Sequence, residues 1–187
     1  FPFPNPRPRL FGEGHRKPCV YADSGFSRSP FWAVVDMPSD SKGFAEIYDQ
    51  ATADALISLN DSVGGLPAYL GARLEEFSPG RLLVRMEVRD EFLTPMGAIH
   101  GGIMAGFVDH ALGCVLYPLM KRGQWAATTE FKLNYLVPVK KGELLAESVV
   151  VSMGKRSAVV RVEVTNAERP VCVAQGTLLI SEPPGRE

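Results

Sequence analysis

HGGIMAGFVDHALGCVLYPLM, residues 100–120, is the stretch from which the fold follows. Apart from His100, Asp109 and His110 it is apolar or small throughout. Its length is about that of a membrane-crossing helix. An Asp at the centre of such a span, however, costs about 2.5–3.5 kcal/mol to insert, and no second span follows. The stretch is therefore read as a helix buried in protein, with no membrane partner. A helix apolar on every side must be covered on every side.

The flanking sequence supplies the cover. Val84, Met86 and Val88 alternate with Arg85, Glu87 and Arg89 after a turn at Ser78-Pro79-Gly80, the period-two pattern of a half-buried strand. Beyond the helix the alternation resumes: Phe131, Leu133 and Tyr135 against Glu130, Lys132 and Asn134. Strands are expected around 144–152, 158–165 and 171–181, turning at Met153-Gly154 and at Asn166–Pro170. Four consecutive strands with short connections predict antiparallel neighbours. The architecture expected is α+β: a curved antiparallel sheet wrapped around one long central helix, with a second copy's helix on the open side.

Two segments precede this core. Phe44, Ile47, Tyr48, Ala51, Ala55 and Leu59 recur at helical spacing and predict one amphipathic helix over about 41–60, closed by Gly64-Gly65-Leu66-Pro67. Residues 1–40 hold seven of the fifteen prolines, which donate no backbone hydrogen bond. An extended or partly disordered arm, with Phe26, Phe31 and Trp32 as residues that could pin it, is therefore expected before a domain over 41–187 whose core spans about 65–181.

Composition excludes several classes of function. A net charge of −1 offers no electrostatic footprint for nucleic acid. Cys19, Cys114 and Cys172 have no CxxC spacing, so neither a disulfide framework nor a zinc knuckle is expected. His100 and His110 stand in no metal-ligand spacing with each other or with Cys114, and neither metal nor cofactor is expected. The opening residues show no basic-then-apolar leader. With scattered thiols, this leads to the expectation of a cytoplasmic protein.

The chemistry-bearing residues lie in the decisive stretch. His-Gly-Gly at a helix start leaves backbone N–H groups unpaired, and glycine lets a carbonyl approach them. The helix dipole adds to their pull on developing negative charge, which is what an oxyanion hole needs. Asp109 follows in apolar surroundings, where a carboxylate is costly and often functional. Each feature also has a plainer role, the glycines in close helix–strand packing and Asp109 in a pair with His110. The combination favours a site.

The segment resembles the hotdog-fold thioesterase superfamily, in the phenylacetate-pathway (PaaI-like) branch. There an Asn-x-x-Gly-x-x-His-Gly-Gly loop enters the central helix, with an Asp nine residues after the His. Gly97, His100, Gly101, Gly102 and Asp109 match this pattern, and Thr128-Thr-Glu-Phe-Lys-Leu-Asn-Tyr-Leu-Val-Pro138 is similar to the strand that follows. The Gly142 turn, the Gly154-Lys-Arg turn and Ala174-Gln-Gly-Thr extend the likeness over residues 65–181.

The resemblance implies hydrolysis of an acyl-CoA thioester to a free acid and coenzyme A. It implies that the Gly101 N–H polarises the carbonyl, with Gly102 beside it and His100 orienting the loop. Asp109 is then the nucleophile or the general base, and Thr128 a hydroxyl that positions water or the carboxylate. The family's Asn falls on Thr94, which has a hydroxyl and no amide, a departure bearing on rate and substrate choice rather than on fold. Lys155 and Arg156 are either contacts to coenzyme A phosphates or an ordinary solvated hairpin tip. The alternatives are a non-hydrolytic acyl-CoA binding module and, fitting the His100/Asp109 spacing poorly, an enoyl-thioester hydratase.

Helix geometry adds one expectation. Asp109 lies eight residues beyond Gly101, hence about 80° around and about 12 Å along the helix. A carbonyl within about 3 Å of the Gly101 N–H is out of reach of Asp109 in the same helix. A homodimer, or a dimer of dimers, with antiparallel central helices would bring the two together.

Overall fold

The computed structural model describes residues 41–182; the arm expected over 1–40 lies outside the described residues. The chain forms helices α1 (Ser41–Ile47), α2 (Gln50–Ser58) and α3 (Gly65–Leu70), then strands β1 (Arg73–Ser78) and β2 (Arg81–Val88). A 3-10 turn (Asp90–Phe92) leads to α4 (Gly101–Cys114), and a second (Tyr117–Leu119) leads to β3 (Trp125–Tyr135). β4 (Gly142–Met153), β5 (Ser157–Asn166) and β6 (Arg169–Ser181) follow.

All six strands join one antiparallel sheet in the order β1-β2-β4-β5-β6-β3. Its inner face carries Leu82, Val84 and Met86 of β2, Leu144 and Ala146 of β4 and Val160 and Val162 of β5, all without solvent exposure. These pack around Phe107, Val108, Ala111 and Leu112 of α4, which are equally buried. This is the sheet around a buried helix expected from the apolar stretch, and the hotdog fold that the resemblance implied. Gly176 of β6 has no room for a side chain beneath α4: a Cβ would stand 2.7 Å from Phe131 Cβ and 3.2 Å from Leu112 Cδ1.

Several boundaries differ from expectation, each for a visible reason. The single helix over 41–60 is two helices, because Asp49 caps a new start. Its Oδ1 accepts from the Ala51 N–H at 3.2 Å, while its own N–H donates to the Pro118 carbonyl at 2.8 Å. Gly64–Pro67 opens α3 rather than forming a turn; proline in a first helical turn gives up no bond that the helix needs. α4 ends at Cys114 instead of running to about Lys121, and Pro118, without an N–H, sits in the 3-10 turn beyond it. The β5–β6 turn is only Ala167-Glu168, both at positive φ, the hand that matches strand twist.

The largest correction concerns neighbours. β3 and β4 follow one another in sequence but do not pair. β4 pairs with β2, with Val84 opposite Ala146, whereas β3 pairs with β6 at the far edge, with Leu133 opposite Ala174. α4 crosses the inner face between β2 and β3 and delivers the chain to the opposite side of the sheet. Alternation reports which face a residue takes; it carries no information about which strand lies alongside.

Candidate active site

The start of α4 is built by a chain of specific bonds. The Ile99 N–H donates to the Val139 carbonyl at 2.7 Å, and the His100 N–H to the Phe92 carbonyl at 2.8 Å. Phe92 is itself held under the Arg89 guanidinium, 4.3 Å above its ring centroid, with Tyr69 edge-on. His100 is the N-cap: its Nδ1 accepts from the Gly102 N–H at 2.9 Å. The N–H groups of Ile103 and Met104 donate to the His100 carbonyl at 3.0 and 3.2 Å.

Of the orphan donors that open a helix, this leaves the Gly101 N–H without a partner among the described residues. The positive end of α4 points with it. Gly102, expected beside Gly101 at the substrate, serves the cap in this conformation. Thr94 belongs to the preceding turn, where its N–H donates to the Ala98 carbonyl and its carbonyl accepts from the Gly97 N–H, both at 2.8 Å. Its hydroxyl makes no hydrogen bond among the described residues.

Beside the Gly101 amide lies a hollow of about 320 Å³, lined mostly by apolar groups of Ile99, Met104, Leu136, Val137, Pro138 and Val171. Tyr135 also lines it and donates its hydroxyl to the Gly101 carbonyl at 2.8 Å. Gly101 is what admits it: a Cβ there would stand 2.8 Å from the phenol oxygen. The alternation of β3 had placed Tyr135 on the inner face, which is correct. Nothing in a period-two pattern marks a phenol that outruns the core and reaches the helix start.

Asp109 lies further along α4, half-buried, and its Oδ1 is shut off from solvent with no hydrogen-bond partner. The expected plainer role, a pair with His110, is not what forms. The His110 ring instead touches Cys114 Sγ, one helical turn on, with Nδ1 at 3.6 Å and Nε2 at 3.8 Å. Burial lowers the His110 pKa, opposed by the Asp109 charge, while burial first and then Asp109 push the Cys114 thiol up to about 12. Both neighbours are thus driven toward their neutral forms, and neither supplies Asp109 with a counter-charge. The two approach because i and i+4 share a helix face, a proximity absent from the sequence reading. No group of three or more metal-ligating side chains is assembled among the described residues.

The remaining expected residues lie at the other end of the sheet. Thr128 pairs with Leu178, Leu178 with Ala158 and Ala158 with Met153, so Thr128 shares an end with the exposed Lys155-Arg156 turn. The register also puts Thr128 on the inner face, since its partner Leu178 is wholly buried. Thr128 and Tyr135 are seven residues apart on β3, about 20 Å at strand rise. Within one chain, therefore, His100 and Gly101 stand at one end and Thr128, Lys155 and Arg156 at the other, with Asp109 in between.

The hotdog fold, which in this chain carries a free amide at the helix start and an unpartnered carboxylate further on, is shared by its relatives in fold and sequence. A sequence profile of the thioesterase superfamily matches residues 96–173, from just before the α4 cap into β6. The chain is 30% identical over 100 residues to acyl-coenzyme A thioesterase 13 of Homo sapiens, covering 53% of this chain and 71% of that one. A thioesterase of Haemophilus influenzae superposes with a TM-score of 0.68 at 19% identity, over 75% of this chain and 99% of its own. The PaaI protein of the E. coli phenylacetic acid degradation operon gives a TM-score of 0.65 at 20% identity, over 71% and 96%. At such identities the superpositions speak for the fold. The chain belongs to the thioesterase superfamily and is a thioester hydrolase.

Proposed function

We propose that the protein hydrolyses an acyl-coenzyme A thioester to a carboxylic acid and free coenzyme A, as a homodimer in which each site draws on both chains. The observation that carries this is the division of the site along α4. The unpaired Gly101 N–H and the unbonded Asp109 Oδ1 sit on one rigid helix, about 12 Å apart along its axis.

Antiparallel packing of two α4 helices would place Asp109 of one chain beside Gly101 of the other. The open side of α4 suits this. Gly102, Gly106, Asp109 and Gly113 form one stripe. Leu66 of α3 reaches over Gly106, where a Cβ would stand 3.2 Å from its Cδ2, whereas a Cβ at Gly113 would meet nothing within 4 Å. Small residues allow close helix approach. The same rotation carries Thr128, Lys155 and Arg156 of the second chain toward the first chain's Gly101. The basic turn then faces the nucleotide end of coenzyme A. A dimer of dimers would keep this pairwise site.

In the reaction, the thioester carbonyl oxygen accepts from the Gly101 N–H, which holds the negative charge as the carbonyl carbon becomes tetrahedral. Asp109 either takes a proton from water as the water oxygen attacks, or attacks itself to give a mixed anhydride that water then opens. In both routes the C–S bond breaks, coenzyme A leaves as its thiol, and the acid departs. Thr128 is placed to orient the water or the Asp109 carboxylate, and Thr94 stands by the carbonyl with a hydroxyl free to bond it. The hollow beside Gly101 takes the apolar part of the substrate next to the thioester. Support for the substrate class comes from the relative named an acyl-coenzyme A thioesterase. Free Cys114 and Cys172 suit a reducing, cytoplasmic setting.

Complementation tests this reading, with turnover followed by a thiol-trapping dye over acetyl-, hexanoyl-, phenylacetyl- and palmitoyl-CoA. Asp109→Asn and Gly101→Val homodimers are expected to be nearly inactive. After subunit exchange, random pairing gives about half heterodimers, each with one intact site of two, so roughly a quarter of wild-type turnover should return. Exchange without recovery would place both groups within one chain and overturn the shared site. No turnover of any thioester by the wild type would overturn the substrate class.

A further inference from the structure

We infer that Tyr135 is a positioning residue for thioester hydrolysis, acting through a hydrogen-bond relay that ends on the His100 ring. The inference rests on the reading of Gly101 and Asp109 above. The relay has three links. The Tyr135 hydroxyl donates to the Gly101 carbonyl at 2.8 Å. That carbonyl and the Gly102 N–H belong to one peptide unit. The Gly102 N–H donates to His100 Nδ1 at 2.9 Å.

The direction of each link settles the ring's tautomer. A backbone N–H only donates, so Nδ1 accepts and the proton of a neutral His100 ring belongs on Nε2. Among the described residues Nε2–H has no partner, and His100 is exposed at the helix start beside the free Gly101 N–H. The ring Nε2–H is thus a second donor, on the residue next to the free Gly101 N–H.

Polarisation runs one way along the relay. A phenol bonded to the Gly101 carbonyl draws electron density across the amide and makes Gly102 N–H a stronger donor. Stronger donation to Nδ1 in turn makes Nε2–H the stronger donor to a developing oxyanion. Chains of hydrogen bonds reinforce one another in this sense by perhaps 10–30% per bond.

Gly101 is required twice over. Its N–H faces the substrate, and its missing Cβ is what allows the phenol to come within bonding distance of its carbonyl. Tyr135 touches no reacting atom in this scheme. Its contribution should appear in the chemical step.

Tyr135→Phe removes the hydroxyl and keeps the ring. Its kcat should fall about fivefold with KM nearly unchanged, the scale of one modest hydrogen bond felt at the transition state. The background variant is His100→Asn, whose side-chain oxygen still caps Gly102 N–H but offers no ring donor. In that background Tyr135→Phe should have no further effect on kcat. An equal loss in both backgrounds would make Tyr135 a strut and overturn the relay.

A second readout does not depend on turnover. Only His15, His100 and His110 contribute imidazole signals, so nitrogen-15 spectra of the free enzyme can be assigned with His100→Asn. The His100 signals should show the Nε2–H tautomer, and Tyr135→Phe should move Nδ1 toward its unbonded position. A ring with its proton on Nδ1, or signals indifferent to Tyr135→Phe, would refute the inference. Asp109→Asn measured alongside separates the two readings. If it stays active, the site assignment falls; if it is inactive while Tyr135→Phe changes neither kcat nor the spectrum, only the relay falls.

Discussion

The two sides of α4 obey different rules. Met104, Phe107, Val108, Ala111, Leu112 and Val115 face the sheet, none more than 2% exposed. On the other side Gly102, Gly106, Asp109, His110 and Gly113 are small or polar and incompletely covered. The first side is closed by the chain's own strands and holds the fold together. The second is met by its own chain at Gly106, where Leu66 of α3 packs, and is otherwise incompletely covered; it carries the carboxylate and borders the free amide. Under the proposed function, one helix thus separates stability from chemistry by about half a turn. Such a division predicts that damage on each side will show in different measurements.

The largest effect is expected on the sheet side. Phe107→Ala should lower unfolding free energy by about 3–5 kcal/mol, the usual cost of emptying an aromatic site in a packed core. Denaturant titration measures this, and any protein that remains folded should keep its kcat. A small loss of stability with a large loss of kcat would erase the distinction between the sides.

Asp109→Asn is the matching experiment on the open side. Turnover should fall about 10²-fold or more, the scale for losing a positioned base. Thermal stability should hold or rise, because the carboxylate oxygen has no partner to lose and burying a charge is costly. Near-normal turnover would remove Asp109 from the site.

A smaller effect is expected at the far end of the sheet. Neutralising Lys155 and Arg156 together should raise KM about fivefold with kcat little changed, since exposed ion pairs contribute about 1 kcal/mol or less each. Added salt should weaken wild-type binding in the same direction. A pantetheine thioester, lacking the nucleotide phosphates, should not respond. Equal responses from both substrates would leave the β4–β5 turn an ordinary solvated hairpin.

Much of the fold was legible because its signals are local. The apolar run from Gly101 onward required cover, and alternation in β2 through β6 supplied strands with the inner faces in register, Tyr135 with Phe131 and Leu133. Thr128, which the same alternation puts outside with Glu130, is turned inward by a bulge between Thr128 and Glu130. The helix-start motif likewise marked where α4 begins, with His100 at the cap and Gly101 as the first helical residue. Less legible were features in which one residue interrupts a pattern. Asp49 splits a helix whose apolar spacing continues across the break, and Ala167-Glu168 turns a hairpin without the Asn-Gly that would announce it.

By itself the sequence determined what each segment could be, because periods of two and 3.6 and the caps at helix ends are properties of neighbouring residues. Only the tertiary structure decided what meets what. It paired β3 with β6 instead of β4, because α4 carries the chain across the sheet before β3 begins. It brought the Tyr135 hydroxyl to a carbonyl 34 residues earlier in the chain. It also sent Thr128 and the Lys155-Arg156 turn to the end of the sheet opposite Gly101. Such contacts depend on the path of the whole chain, and no local pattern encodes a path.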